Sequence, residues 1–171
     1  MTRREILRTL AATGLLPLFD RSARASEPEH SHSGVLTTTK IRPVILSTWN
    51  FGMAANKPGW EILQNNGRAL DAVEAAARVP EADPENQSVG LGGLPDRDGI
   101  VTLDACIMDE LGNAGSVMAL EQVVHAISVA RRVMEKTPHV ILAGKGALDF
   151  AMAEGFDREV LLTDASHRAW L

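Results

Sequence analysis

The sequence after the first forty residues predicts an α+β domain, on three observations. Its segments read strand, two helices, hairpin, helix, strand, helix, which is not a strict β-α-β alternation. Two strand-like segments lie so close together, across Gly112-Asn113, that antiparallel pairing is the default. The 171 residues, 45% of them apolar, suffice for one domain with one core and show no internal repeat.

Taken in order, "RPVILSTWNF" has Pro43 at its edge and a Val-Ile-Leu run, and so predicts a buried strand opening into an aromatic cluster at Trp49. After Pro58, "GWEILQNNG" predicts a short helix that packs Trp60 onto the sheet and stops at Gly67. "RALDAVEAAARV" is alanine-rich with Leu70, Val73 and Ala77 at helical spacing, and Pro80 and Pro84 end it. "EADPENQSVGLGGLPDRDG" is turn chemistry throughout. "IVTLDACIMD" and "NAGSVMAL" form the hairpin. "AISVARRVMEKT" is a helix with Ile127, Ala130 and Val133 or Met134 inward and Arg131, Arg132 and Glu135 outward. "HVILAG" reads as a short buried strand and "GALDFAMAEGF" as a helix closed by Gly155, while "DREVLLTDASHRAWL" trails into an amphipathic piece without a stop signal.

Residues 1–25 have the grammar of an export signal: Arg3 and Arg4, a modest apolar run from Leu10 to Phe19, and Ala23-Arg24-Ala25 as a small-x-small cleavage site. "TRREILR" also resembles a twin-arginine motif, so periplasmic or secreted delivery is expected. Gly14, Pro17 and Asp20-Arg21 oppose an ordinary amphipathic helix, and the run is shorter than the ~20 residues of a membrane span. Residues 26–42 read as a flexible polar leader, in which His30 and His32 are solvated. The net charge is -5, and removal of residues 1–25 leaves 12 basic against 20 acidic residues, a charge of -8. An acidic chain without a basic run after residue 25 argues against nucleic acid as a partner, and no membrane partner is expected either.

The polar motifs do not by themselves name a reaction. "GLGGLPDRDG" lacks the Lys-Ser/Thr of a phosphate loop and does not open into a helix, so it reads as a loop needing unusual backbone angles. Lys145 in "GKG" is expected to face solvent. His125, His139 and His167 have no metal-ligand spacing, and neither a metal nor another cofactor is expected. Cys106 reads as a buried structural thiol, and as the single cysteine it cannot form an intrachain disulfide. Asp96, Asp98 and Asp109 read as turn formers, whereas Asp104 interrupts an apolar strand and must reach a polar face or find hydrogen bonds.

One resemblance goes further. "NGRALDAVEAAARVPEADPENQSVGLGGLPDRDGIVTLDACIMD", then "GSV", then "ISVARRVMEKTPHVILAGKGALDFAMAEGF" resembles the N-terminal half of the glycosylasparaginase family, the N4-(β-N-acetylglucosaminyl)-L-asparaginases. "VILSTWNFG" resembles the glycosylasparaginase version in particular, and the likeness spans about residues 43–160. It implies the N-terminal-nucleophile hydrolase fold, a four-layer αββα sandwich made by a precursor that cuts itself into α and β chains before a threonine. The freed threonine then attacks the amide joining asparagine to N-acetylglucosamine, with its own amine as base. Residues 43–171 would be the α-chain portion, ending before the self-cleavage site, because no threonine here follows His-Asp. The nucleophile and oxyanion hole would belong to the β-chain half, so no catalytic residue is expected in this chain, which would be inactive alone. The expected partners are that β-chain half, a small glycosylasparagine-type substrate and, when complete, further copies in a homo-oligomer. By position, Trp49 resembles the tryptophan at the rim of the substrate pocket and Phe51 a phenylalanine near the self-cleavage site, though core packing would also explain both aromatics. The alternatives are a non-catalytic remnant, an α-like subunit needing a separate β chain, or an isoaspartyl peptidase or L-asparaginase.

Overall fold

The computed structural model describes residues 42–171; the expected export signal and nearly all of the leader lie outside them. The elements are α1 (Gly52–Gln64), α2 (Ala69–Ala82), β1 (Thr102–Met108), β2 (Ala114–Glu121), α3 (Ala126–Lys136), β3 (Ile141–Ala143), α4 (Gly144–Ala153) and α5 (Asp164–Trp170). β1 and β2 are an antiparallel hairpin, and α3 carries the chain to β3, which pairs parallel with β2. Helices and a small mixed sheet make the chain α+β, as its element order implies.

The core lies on one face of the sheet. Leu103 and Ile107 of β1 and Val117 and Leu120 of β2 point into it, against Val129, Ala130 and Val133 of α3 and Ala147 and Ala151 of α4. Each buried Leu, Ile or Val contributes about 1.5–3 kcal/mol relative to exposure. α3 sits close to β2 because Gly115 has no side chain: a Cβ there would overlap the Ala130 carbonyl. On the opposite face, Thr102, Asp104, Cys106 and Met108 of β1 and Met118 of β2 are exposed. Cys106 is therefore exposed, not the buried thiol expected, because the strand's period of two assigns Leu103 and Ile107 to the core and Cys106 to the other side.

The hairpin turn is built by Asp109, whose Oδ1 accepts from the backbone N–H groups of Leu111 (2.9 Å) and Asn113 (2.8 Å). The Asn113 side-chain amide, which donates to Oδ2, is the main cause that holds this carboxyl below its ordinary pKa. Asp96 builds its own turn with Oδ1, which accepts from the backbone N–H groups of Asp98 and Ile100. Within the hairpin the register shifts between Leu103 and Ala105, and Ala119 opposite takes a left-handed φ of 49°. The bulge leaves the Ala119 N–H without a ladder partner, and Asp104 Oδ1 accepts it at 2.8 Å. That contact explains a carboxylate within an apolar strand.

Four expectations change. Residues 43–51 are not a buried strand: among the described residues no strand pairs with them, and Val44 and Leu46 are 73% and 87% exposed. α1 begins at Gly52, and Pro58 lies inside it. Its buried stripe is Gly52, Ala55 and Gly59, and Gly59 lies against the Ala72 carbonyl and Ala76 of α2, so small residues make this helix contact and Trp60 stays on the outside. β3 is an exposed edge of three residues rather than a buried strand. The trailing piece becomes α5, started by a capping box in which Thr163 and Ser166 bond each other's backbone N–H groups. The helix after Gly144 ends as expected, with Gly155 at φ 86°.

Candidate functional site

A cavity of about 390 Å³ opens between three parts of the chain: residues 45–56, the inner face of α2, and the exposed face of β1. The first wall is a chain reversal. The Gly52 N–H donates to the Trp49 carbonyl (2.9 Å), Asn50 Oδ1 accepts from the Phe51 N–H (2.9 Å), and Ser47 Oγ donates to Asn56 Oδ1 (2.5 Å). Gly52 permits the reversal, because a Cβ there would overlap Ser47. The aromatic pair stands on this reversal: Trp49 and Phe51 stack with ring centres 6.5 Å apart and planes 22° from parallel. Phe51 is partly buried, whereas Trp49 remains 70% exposed at the mouth. Exposure on that scale means that Trp49 does not serve core packing within the described residues.

The second wall comes from α2, with Val73, Ala76, Ala77 and Pro80, and at its base lies Glu81, whose side chain is only 4% exposed. Glu81 Oε1 accepts the Ile127 N–H at the start of α3 (2.9 Å), and Oε2 lies 3.1 Å from His125 Nδ1. Burial pushes the Glu81 pKa up to about 7, against the lowering effects of the Ile127 N–H and the Arg78 charge. Burial first, and Arg78 second, lower that of His125. The Glu81 carbonyl also accepts the Leu91 N–H (2.8 Å), and Gly90, at φ 68°, passes so close that any Cβ would overlap that carbonyl. The glycine-rich stretch is thus a loop folded onto the end of α2, with the unusual backbone angles its glycines supply.

Behind the cavity Arg131, expected to point outward, is only 19% exposed. It bridges Asp71 (2.7 Å) and Glu74 (2.7 Å) of α2 and Glu135 (2.8 Å) of its own helix. Ser128 completes the clamp by donating to Glu74 (2.6 Å) and accepting from Arg78 (2.9 Å). Asp104 and Cys106 of β1 form the third wall. Lys145 is exposed and pairs with Asp149 in its own helix, and neither it nor His139 or His167 lines the cavity. Among the described residues no group of three or more His, Cys, Asp or Glu is placed to hold a metal ion, and no helix is long and apolar enough to cross a membrane.

The structure thus brings Trp49 and Phe51 together with Glu81 and Asp104. Sequence reasoning passed over Glu81, although one signal was present. Eleven residues after Leu70 is three helical turns, so the acid falls on the same side of the helix as the buried Leu70.

A family model described as asparaginase, of type 2, matches residues 37–171. The chain belongs to the type 2 asparaginase family. It is 51% identical over 173 aligned residues to the N(4)-(beta-N-acetylglucosaminyl)-L-asparaginase of Elizabethkingia miricola, an alignment that covers 98% of this chain and 48% of that one. It is 43% identical over 133 residues to the mouse protein of the same name, covering 75% of this chain and 38% of the other. A putative protein of that name from Drosophila grimshawi is 38% identical over 163 residues, covering 90% of this chain and 41% of its own. This member of the family spans about half the length, or less, of the curated relatives it matches. Their shared name agrees with the glycosylasparaginase pattern in "STWNFG" and "PDRDGIVTLDACIMD".

Proposed function

We propose that this chain supplies the α-chain portion of an amide hydrolase of the glycosylasparaginase type, and that the cavity behind Trp49 is its half of the substrate pocket. The observation that carries the reading is the position of Trp49: a large aromatic ring held exposed at a cavity mouth, in a chain 51% identical to a glycosylasparaginase. An exposed ring suits the apolar face of a sugar, and the cavity beneath it suits the smaller amino-acid end of the substrate.

In this reading a second, β-chain half packs against the open face of β1 and β2 and completes a four-layer αββα sandwich. Self-cleavage sets a threonine free at the start of that half. Its hydroxyl attacks the side-chain amide carbonyl of glycosylasparagine while its own amine takes the proton and passes it to the departing nitrogen. The C–N bond breaks, the amino sugar leaves, and water then hydrolyses the threonine ester to release aspartate. Such an amine has a pKa near 7.7–8.0 and is partly neutral at working pH. Trp49 faces the sugar, and Phe51 stacks behind it toward the cleavage junction. Delivery outside the cytoplasm by a twin-arginine-type signal and assembly into a homo-oligomer belong to the same proposal.

The reading is tested by co-expressing this chain with the remaining half of the Elizabethkingia relative, starting at its nucleophilic threonine, and assaying aspartate release from N-acetylglucosaminyl-asparagine. Activity from the pair and none from either half is expected. Co-purified halves that release no aspartate would leave the non-catalytic reading in its place.

A further inference from the structure

The contact between Glu81, which lines the cavity, and His125 behind it is not used by the reaction proposed above, yet it joins a deeply buried acid to an imidazole. The Glu81 side chain is 4% exposed and that of His125 24%. The two carboxyl oxygens are both engaged, Oε1 by the Ile127 N–H and Oε2 by His125 Nδ1 at 3.1 Å. A contact between an oxygen and an imidazole nitrogen at this distance needs a proton between them, and two arrangements supply one without charging the ring. In the first, a neutral Glu81 donates from Oε2–H to a bare Nδ1, and the ring carries its hydrogen on Nε2. In the second, an ionised Glu81 accepts from Nδ1–H, and Nε2 is bare.

The charges around the pair do not force an ion pair. Arg78 on α2 disfavours a charged ring, Glu74 on the same helix favours one, and Glu74 is already engaged by Ser128 and by Arg131 of α3. Asp104 and Cys106 of β1 line the same cavity. Burial favours the form in which neither partner is charged.

We propose that Glu81 and His125 form a proton-sharing tautomer switch: near pH 6 the acid is neutral and the ring holds its hydrogen on Nε2, and above neutrality the acid is ionised and the hydrogen sits on Nδ1. In passing from one state to the other, the Oε2 proton moves across the contact to Nδ1 and the Nε2 proton leaves for solvent, a net loss of one proton. The contact between the end of α2 and the start of α3 is kept in both. What changes is the base of the cavity, which goes from neutral to singly negative, and the outer nitrogen of His125, which goes from hydrogen-bond donor to acceptor. Glu81 is here a positioning residue whose charge the cavity feels, and the switch stands whether or not the glycosylasparaginase reading does.

The experiment is nuclear magnetic resonance of the labelled 171-residue chain from pH 5 to 9, with the imidazole nitrogens and the Glu side-chain carboxyl carbons observed together. The His125 signals are identified by their absence in His125→Gln. Expected are an Nε2–H tautomer at pH 6, an Nδ1–H tautomer at pH 8.5, and a Glu81 carboxyl that titrates near the same midpoint, well above ordinary glutamates. Glu81→Gln has a side-chain amide that donates to Nδ1 while its oxygen still accepts from Ile127, so it should hold His125 in the Nε2–H form at every pH. A charged ring at pH 6, a Glu81 carboxyl titrating with the ordinary glutamates, or an unchanged tautomer switch in Glu81→Gln would each overturn the proposal. If that variant does not fold, the carboxyl titration of the wild-type chain decides alone.

Discussion

Single residues decide the character of the cavity, and Glu81 has the most direct consequence for stability. Its pKa stands at about 7 in the folded chain against 4.5 when unperturbed, so the folded state holds the proton more tightly. The stability it contributes is complete below pH 4.5 and is lost as the pH rises through 7, by roughly 3 kcal/mol for a shift of this size. His125 acts in the opposite sense: its pKa is lowered from 6.5, so its contribution is present above 6.5 and lost as the pH falls. Glu81→Gln removes the first effect, and its unfolding free energy relative to wild type should move in its favour by about 3 kcal/mol between pH 4.5 and 8. Denaturant melts at those two pH values measure this, and a constant difference would contradict it. The role of Glu81 was hard to read because "PEADPEN" is polar turn chemistry over its length. Only the helical count back to Leu70 puts the acid inside, and the two prolines argue that the helix has already ended.

At the scale of elements, two local junctions have a measurable consequence for stability, one at the end of α2 and one at the start of α5. Gly90 sits on the Glu81 carbonyl at φ 68°, and Gly90→Ala combines backbone strain with a direct overlap. It should cost more than about 2 kcal/mol, read as a lowered midpoint in urea. Thr163 caps α5 by accepting the Ser166 N–H (3.2 Å), and Thr163→Ala should cost about 1 kcal/mol in the same measurement. The hairpin, α3 and α4 were legible because each carries its own period and punctuation: alternation around Leu103 and Ile107, a helical stripe at Ile127, Ala130 and Val133, and stops at Pro138 and Gly155. α2 was legible by its alanine-rich stripe but not by its end, since it runs through Pro80 to Ala82. The segment 43–51 was misread because its Val-Ile-Leu run has the composition of a buried strand. Burial of a strand depends on a neighbour, which a local pattern cannot report, and among the described residues none stands beside it. α1 was misplaced because Pro58 signals a boundary, whereas a stripe of Gly52, Ala55 and Gly59 packs tightly enough on α2 to keep the proline within the helix.

For the whole molecule, the question is what the open face of the sheet and the aromatic mouth are for. Val44, Leu46, Trp49, Met53, Met108 and Met118 are all exposed by half or more. β1 and β3 are also the outer strands of a three-stranded sheet. Apolar surface beside strand edges that are unpaired among the described residues promotes association, so the chain alone should show a mass that rises with concentration in sedimentation equilibrium, and co-expression with the proposed β-chain half should suppress the rise. The family was legible from the ordered motifs alone, whereas the cavity was not. Its three walls come from residues 45–56, 73–81 and 104–106, which only the fold brings together. The claim that this cavity is a substrate pocket with Trp49 at the sugar end is tested most directly by Trp49→Ala in the reconstituted enzyme, with kcat/KM measured for N-acetylglucosaminyl-asparagine and for free asparagine. Loss of one aromatic contact of about 0.5–1.5 kcal/mol predicts a roughly 2- to 10-fold fall for the sugar-bearing substrate and little change for asparagine. Equal falls for both substrates, or no fall for either, would contradict the account.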